Sequence, residues 1–342
     1  GKRIAGYAAV AVLAVLMALQ VLFWEGRADI WRKAFRALNI PRRSKYVVFP
    51  FGRDPEGAML EWISSNTAHD DVIMSMHYLS PQILTYTGRP TNLNDFFEAP
   101  RLRAKAHALL LNLYSGEEEL LSFCESNGSD YLVLSAAVGC DPTKDSPLYQ
   151  AGFSRMPPGC AAYRLMFEPM TLKSFDLVYE NELYRVFRTG QPPVERRRPA
   201  SPVFYSGSLL KQANGDTGEF YNTVMHIYAV TARASRLAGA GMEKEAADIL
   251  AGVLSLEYFH PAWQLLDVLY RRSGLDRERL ALAEFARASD PWRPGVCLSL
   301  SECRLAAGDR EGAREILGIC RTLPMTAKEK ARFKRIESRT GE

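Results

Sequence analysis

The sequence predicts an α/β domain followed by an all-α domain of helical repeats, preceded by one transmembrane helix. Strand-like and helical segments alternate over residues 46–190, which is typical of an α/β sheet. Over residues 218–342 only helical patterns remain, and glycines recur at a fixed period. The predicted division of the chain is a span at 1–25, an interfacial helix and linker at 26–45, the α/β domain at 46–190, a linker at 191–217 and the repeats at 218–342.

Composition limits the function classes. Apolar residues make up 47% of the 342 residues, enough for a sizeable core, and the net charge is +4 with both signs interspersed. Nucleic-acid binding needs a concentrated basic face, so no nucleic-acid partner is predicted. The five histidines form no metal or catalytic motif, and no phosphate-binding loop or nucleophile elbow occurs. We therefore predict no cofactor, no metal and no catalytic residue.

The run from Ile4 to Trp24 carries no charge. Its length of about 21 residues matches the ~20 that a helix needs to cross a bilayer. A cleaved signal peptide is the alternative, but Glu25-Gly26-Arg27 is a poor cleavage site. Two positive residues precede the run and seven follow it before Tyr46, a charge count that favours a cytoplasmic body.

The segment after the span alternates aromatic and basic residues near helical spacing, which predicts a helix lying on lipid head groups. A solvated helix packing on the soluble domain is the alternative. The predicted membrane-interface residues are Trp24, Trp31, Arg32, Lys33, Phe35 and Arg36.

Within 46–190 we expect strands near 46–50, 71–75, 91–93 and 130–134, separated by helices. The segments 175–180 and 183–188 should form a hairpin around Asn181-Glu182. The following linker has a run of three arginines at 196–198, expected to be a solvated connector.

Six cysteines are present, none with the spacing of a zinc site. Cys140 and Cys160 bracket a loop rich in proline and glycine. A disulfide between them would stabilise a segment with little regular structure. Two buried free thiols are the equal alternative.

In the C-terminal part, Gly241, Gly274 and Gly308 each end an apolar helix and precede a second one. This spacing of about 34 residues over 219–325 resembles tetratricopeptide repeats. The resemblance implies stacked helix pairs whose first helices line a partner-binding face, capped by a polar last helix. The candidate contacts, which could instead pack between helices, are Tyr221, His226, Tyr228, Arg233, Gln264, Tyr270 and Arg304.

Four segments, LEWISSNTAHDDVIMS, SPQILTYTGRPTN, LYSGEEELLSFCESNGSDYLVLS and FDLVYENELYRVFRTG, follow in this order within 57–190. Together they resemble the extracytoplasmic domain of membrane glycosyltransferases that use polyprenol-linked sugars, such as oligosaccharyltransferases and protein mannosyltransferases. The resemblance implies a body outside the cytoplasm, periplasmic or extracellular, against the charge count. Those enzymes hold their catalytic acids in loops between several upstream spans, which are missing here, so no catalytic role is carried over.

These patterns together favour a membrane-anchored, non-catalytic scaffold or accessory subunit, with membrane lipid and protein partners. The alternative is the C-terminal portion of a multi-span glycosyltransferase, with Gly1 marking a truncation rather than a processed terminus. In that case the chain would belong to an enzyme.

Overall fold

The computed structural model describes residues 55–93, 99–196, 198–199 and 202–341. The predicted transmembrane helix, the interfacial helix with its six membrane-interface residues, and the strand near 46–50 lie outside these residues. In the part described, no helix combines the length and apolar character needed to cross a membrane. The fold is helix-rich with one small sheet.

The sheet has four strands in the order β1-β2-β4-β3. They are β1 Ile73–Met74, β2 Tyr131–Ser135, β3 Phe175–Glu180 and β4 Tyr184–Thr189. β1 runs parallel to β2, and the other pairs are antiparallel, so the sheet is mixed. The predicted hairpin is confirmed: the Asn181 side chain accepts hydrogen bonds from the backbone N–H groups of Leu183 and Tyr184. The predicted strand at 91–93 is reduced to one bridge between Thr91 and Ile73.

Helices cover both faces of the sheet. They are α1 Pro55–Asn66, α2 Ser80–Thr87, α3 Pro100–Leu113, α4 Glu117–Ser126, α5 Ala136–Cys140, α6 Pro147–Gln150 and α7 Ala161–Phe167. Side chains alternate along a strand, so Tyr131 and Val133 pack with α1, while Leu132 and Leu134 face the larger core.

The segment predicted to be a linker, 191–217, contains regular structure in its second half. Residues Val203–Tyr205 form a 3₁₀ turn, and Gly207–Gln212 form helix α8. In the arginine run, Arg196 stays exposed although it is ion-paired, whereas Arg198 is half-buried against the sheet, contrary to the prediction of a solvated run. Arg196 forms a two-pronged salt bridge of 2.6 and 2.7 Å with Asp176, and Arg198 donates to the Leu177 carbonyl at 2.6 Å. β3 is an edge strand with a buried carboxylate, so the arginines provide both a counter-charge and an edge cover.

The all-helical character predicted for the C-terminal part is confirmed, and its helices follow one another as three pairs and a final helix. They are α9 Thr217–Gly239, α10 Glu243–Leu256, α11 His260–Arg272, α12 Asp276–Ser289, α13 Pro294–Ala306, α14 Arg310–Arg321 and α15 Ala327–Thr340. Gly241, Gly274 and Gly308 take φ values of 83°, 67° and 84° between the helices of each pair. This left-handed conformation favours glycine, which explains the period.

The helical pairs and the sheet share a core. One apolar cluster runs from Leu134 and Phe187 of the sheet to Val224 of α9 and Leu266 of α11. Arg185 of β4 is buried on the same side, where it pairs with Glu180 at 2.9 Å and lies 4.0 Å from the centre of the Tyr205 ring. The repeats are therefore packed against the α/β part rather than tethered to it.

Candidate partner-binding surface

The first helices of the three pairs, α9, α11 and α13, differ sharply in what they expose. On α9 an exposed stripe runs at helical spacing through Asn222, His226, Ala229, Arg233 and Arg236. The opposite face, including Phe220, Val224 and Ile227, is fully buried. Two of the sequence-predicted contacts, His226 and Arg233, thus lie on one surface stripe.

Arg233 lies 3.5 Å from Glu245 of α10, and both side chains are well exposed, at 64% and 51%. An ion pair this exposed contributes little to stability. Its guanidinium can therefore exchange Glu245 for a partner carboxylate at small cost.

α11 contributes less. Gln264 and Arg271 are exposed on it and, being seven residues apart, lie on the same helical face. Trp263, Leu266 and Leu269 are buried. Tyr270 is half-buried against the core, and burial is the main cause that raises its phenol pKa. Gln264 is thus a surface candidate, whereas Tyr270 has a mainly packing role in this conformation.

Tyr228 is not a surface residue, contrary to the sequence prediction. It is 2% exposed, its ring packs between Phe204 and Phe259, and its hydroxyl donates to the Glu182 carbonyl at 3.2 Å. It joins the repeats to the β3–β4 hairpin. Tyr221, about two turns earlier, is half-buried with its ring centre 6.3 Å from that of Phe204.

α13 exposes almost nothing, because every residue from Pro294 to Cys303 except Gly295 is buried. Arg304, the candidate contact near its end, is half-buried and lies 3.5 Å from Asp309. Of the three first helices, α9 and α11 therefore carry the exposed candidate residues of the predicted partner-binding surface.

α13 is buried because α12, α14 and α15 pack around it, and an ionic network not predicted from the sequence lies between these helices. Arg279 of α12 donates to Asp267 of α11 at 2.8 Å and to Glu302 of α13 at 3.0 Å. Glu302 also accepts two hydrogen bonds from Arg332 of α15, at 2.9 and 2.7 Å, and Ser299 donates to Asp267 at 2.6 Å. Burial favours the neutral acid, but the hydrogen bonds and charges of Arg332 and Arg279 outweigh it and lower the pKa of Glu302 to about 2.

A second buried polar group lies where α11 and α13 begin. The Tyr258 hydroxyl is 3.0 Å from His260 Nδ1, and Arg293 is paired with Asp290. Burial, and then the positive charge of Arg293, lower the pKa of His260. The imidazole is therefore neutral at pH 7 and serves packing, with its ring stacked on Trp263 at 5.2 Å between centres.

Cys140 and Cys160 are both buried free thiols in this structure. Burial raises the pKa of Cys140, and the neighbouring Cys160 raises it further. The two are thus near each other, and a disulfide between them stays a prediction. Among the described residues, no group of three or more His, Cys, Asp or Glu side chains could hold a metal ion.

The described fold is a small α/β unit joined to a series of paired helices. No protein-family model matches the chain, and no curated protein matches it. It is similar to a solved structure of the C-terminal globular domain of oligosaccharyltransferase from Archaeoglobus fulgidus, with 19% identity over 41% of this chain and 99% of that one and a TM-score of 0.33. It is also similar to PcrH from Pseudomonas aeruginosa, with 20% identity over 34% of this chain and 89% of that one and a TM-score of 0.30. The type III secretion translocator chaperone SycD from Yersinia enterocolitica gives 15% identity, 39% and 96% coverage and a TM-score of 0.31. Each similarity is partial and covers less than half of this chain.

Proposed function

We propose that this protein is a membrane-anchored, non-catalytic scaffold or accessory subunit that binds a protein partner through its helical repeats. The observation that carries the proposal is the exposed stripe on α9, continued by Gln264 and Arg271 on α11. Stacked helix pairs usually bind peptides or helices along such first-helix surfaces.

The chemistry of the stripe suits an acidic or polar partner segment. His226, Arg233 and Arg236 supply donors and positive charge, and Arg is among the residue types that dominate binding energy at interfaces. Arg233 is held only by an exposed pair with Glu245. A partner carboxylate can replace Glu245 without leaving a buried charge unpaired.

A buried network and a shared core hold α11 and α9, respectively, in place. Asp267, Arg279 and Glu302 tie α11, α12 and α13 together. The shared core fixes α9 against the sheet. A rigid surface loses little conformational entropy on binding, so more of its contact energy appears as affinity.

The membrane anchor and the position of the body outside the cytoplasm are part of the proposal. The anchor is supported by the uncharged run from Ile4 to Trp24, which has the length of a bilayer span. The position of the body is supported by the resemblance of the segments in 57–190 to extracytoplasmic domains.

The test is co-purification of the full chain in mild detergent with three alanine substitutions on the first helices: His226→Ala, Arg233→Ala and Gln264→Ala. The matched control places three alanines at exposed positions of the second helices: Lys244→Ala, Arg277→Ala and Glu315→Ala. We expect the first set to lower the amount of bound partner about tenfold or more, and the control to leave it unchanged.

Equal partner recovery from both variants would contradict the assignment of the surface. Turnover of a lipid-linked sugar by the purified protein would contradict the non-catalytic role.

A further inference from the structure

We propose that Cys297 and Cys320 form a cross-linking site: a disulfide joins α13 to α14 when the protein meets a disulfide oxidant such as glutathione disulfide. The inference does not depend on the proposed partner-binding function. It concerns a pair of residues that the sequence alone did not single out.

The two sulfurs lie near the same short segment of the chain, from Pro291 to Pro294. α13 and α14 form an antiparallel pair, so the start of α13 lies beside the end of α14. The Cys297 sulfur lies 3.9 Å from the carbonyl oxygen of Pro291, and the Cys320 sulfur lies 3.9 Å from that of Pro294. Both residues are fully buried in the same apolar cluster.

Cys303 belongs to the same apolar cluster, but its position on α13 sets it apart from the other two cysteines. Cys303 is on the same helix, but six residues further along, which turns its side chain roughly 240° around the axis. Its neighbours are accordingly the charged groups of Arg279, Asp267 and Glu302. The sulfur of Met325, 3.9 Å from that of Cys320, is a thioether and cannot form a disulfide.

The protein surroundings also determine which of the two thiols attacks the oxidant first. The hydrogen bond from Cys320 lowers the pKa of Cys297; burial opposes this, and Arg287 adds to it. For Cys320, the shared hydrogen bond and burial both raise the pKa. Cys297 is therefore the thiol that ionises first, and the thiolate is the nucleophile in disulfide exchange.

The reaction is balanced in two steps. The Cys297 thiolate attacks one sulfur of glutathione disulfide, which breaks the glutathione S–S bond and releases one glutathione thiolate. That thiolate takes the proton of Cys320, whose sulfur then attacks the Cys297 sulfur and releases the second glutathione, protonated from water. Two protein thiols are oxidised, and one glutathione disulfide is reduced to two glutathione thiols. Because the site is buried, glutathione disulfide reaches it through a transient local opening of the helix pair in the folded protein.

The cross-link closes a loop of roughly two dozen residues, which should shift the folding equilibrium on the order of a hundredfold toward the native state. The effect should appear as a higher melting temperature in glutathione disulfide than in dithiothreitol.

The test is peptide mapping of the full chain in mild detergent after incubation with glutathione disulfide, alkylation in denaturant and digestion with trypsin without reduction. Trypsin spares the Arg293–Pro294 bond, so Cys297 and Cys303 fall in peptide 288–304 and Cys320 in peptide 315–321. We expect these peptides linked to each other, with Cys303 alkylated. The link should persist in Cys303→Ser and disappear in Cys320→Ser or after reduction.

Full alkylation of Cys297 and Cys320 in the oxidised wild-type protein would overturn the proposal, as would a link from Cys320 to Cys303. The melting comparison gives a second reading: Cys320→Ser should lose the part of the oxidant-dependent rise that Cys303→Ser keeps. An equal rise in both variants would assign the effect to other cysteines and contradict the proposal.

Discussion

Replacing Glu302 by Gln tests whether the buried ionic network holds the repeats together. Glu302 accepts hydrogen bonds from Arg279 and Arg332, and its pKa is lowered to about 2 from the ordinary 4.5. At ~1.4 kcal/mol for each pKa unit, this shift corresponds to about 3 kcal/mol of stability at pH 7. The side chain is about 10% exposed, so solvent screening removes little of it.

The sign of the pH dependence follows from the lowered pKa. Stabilisation by the carboxylate is complete above its unfolded pKa near 4.5 and is lost as the pH falls toward 2. Glu302→Gln should therefore lower the free energy of unfolding at pH 7 by about 2–4 kcal/mol. It should also flatten the decline of stability between pH 5 and pH 3, since glutamine does not titrate.

The assay is urea unfolding of the full chain in detergent at pH 7, 5 and 3, followed by far-UV circular dichroism. Glu315→Gln, at an exposed position of α14, is the matched control and should change stability by less than ~0.5 kcal/mol. A loss below ~0.5 kcal/mol for Glu302→Gln at pH 7, or a pH profile parallel to that of wild type, would show that the network does not stabilise the repeats.

Three further predictions follow from local geometry and from the sequence. Gly139→Ala should destabilise by about 1–3 kcal/mol, measured by thermal melting, because the new Cβ would lie 1.7 Å from the Met166 sulfur; an unchanged melting temperature would contradict this. Gly241→Ala should lower the free energy of unfolding by about 1–2 kcal/mol because the φ of Gly241 is 83°. Gly252→Ala, inside α10 with open space around it, should be neutral or stabilising. Equal effects of the two substitutions in urea unfolding would contradict this prediction. The full chain should stay in the membrane pellet after high-salt and alkaline washing, and release of the intact chain would contradict a span at Ile4–Trp24.

Local patterns predicted much of the fold. The glycines at 241, 274 and 308 predicted the helix pairs because the left-handed turn between two helices strongly favours glycine. The Asn181-Glu182 hairpin was predicted because alternating apolar residues flank a turn residue. Such patterns can be recognised in the sequence because they depend on residues that are close together in the chain.

The errors concern contacts between distant residues. Tyr228 fits a surface position by residue type, but Phe204 and Phe259 enclose it from two other segments. Arg198 has the residue type of a solvated run, but its guanidinium donates to the Leu177 carbonyl of the edge strand, 21 residues earlier in the chain. Asp267, Arg279 and Glu302 have no short-range signature as a cluster, although charged residues at apolar positions of amphipathic helices could have indicated buried pairing.

Site-specific photo-crosslinking in intact cells is the most direct test of whether the α9 stripe binds a protein partner. A photoreactive amino acid is placed at 226, 233 or 264, and at the exposed control positions 244, 277 and 315. If the first helices bind the partner, the first-helix positions should crosslink to the same protein and the control positions should not. Crosslinks of equal yield from both sets, or from the controls alone, would contradict it.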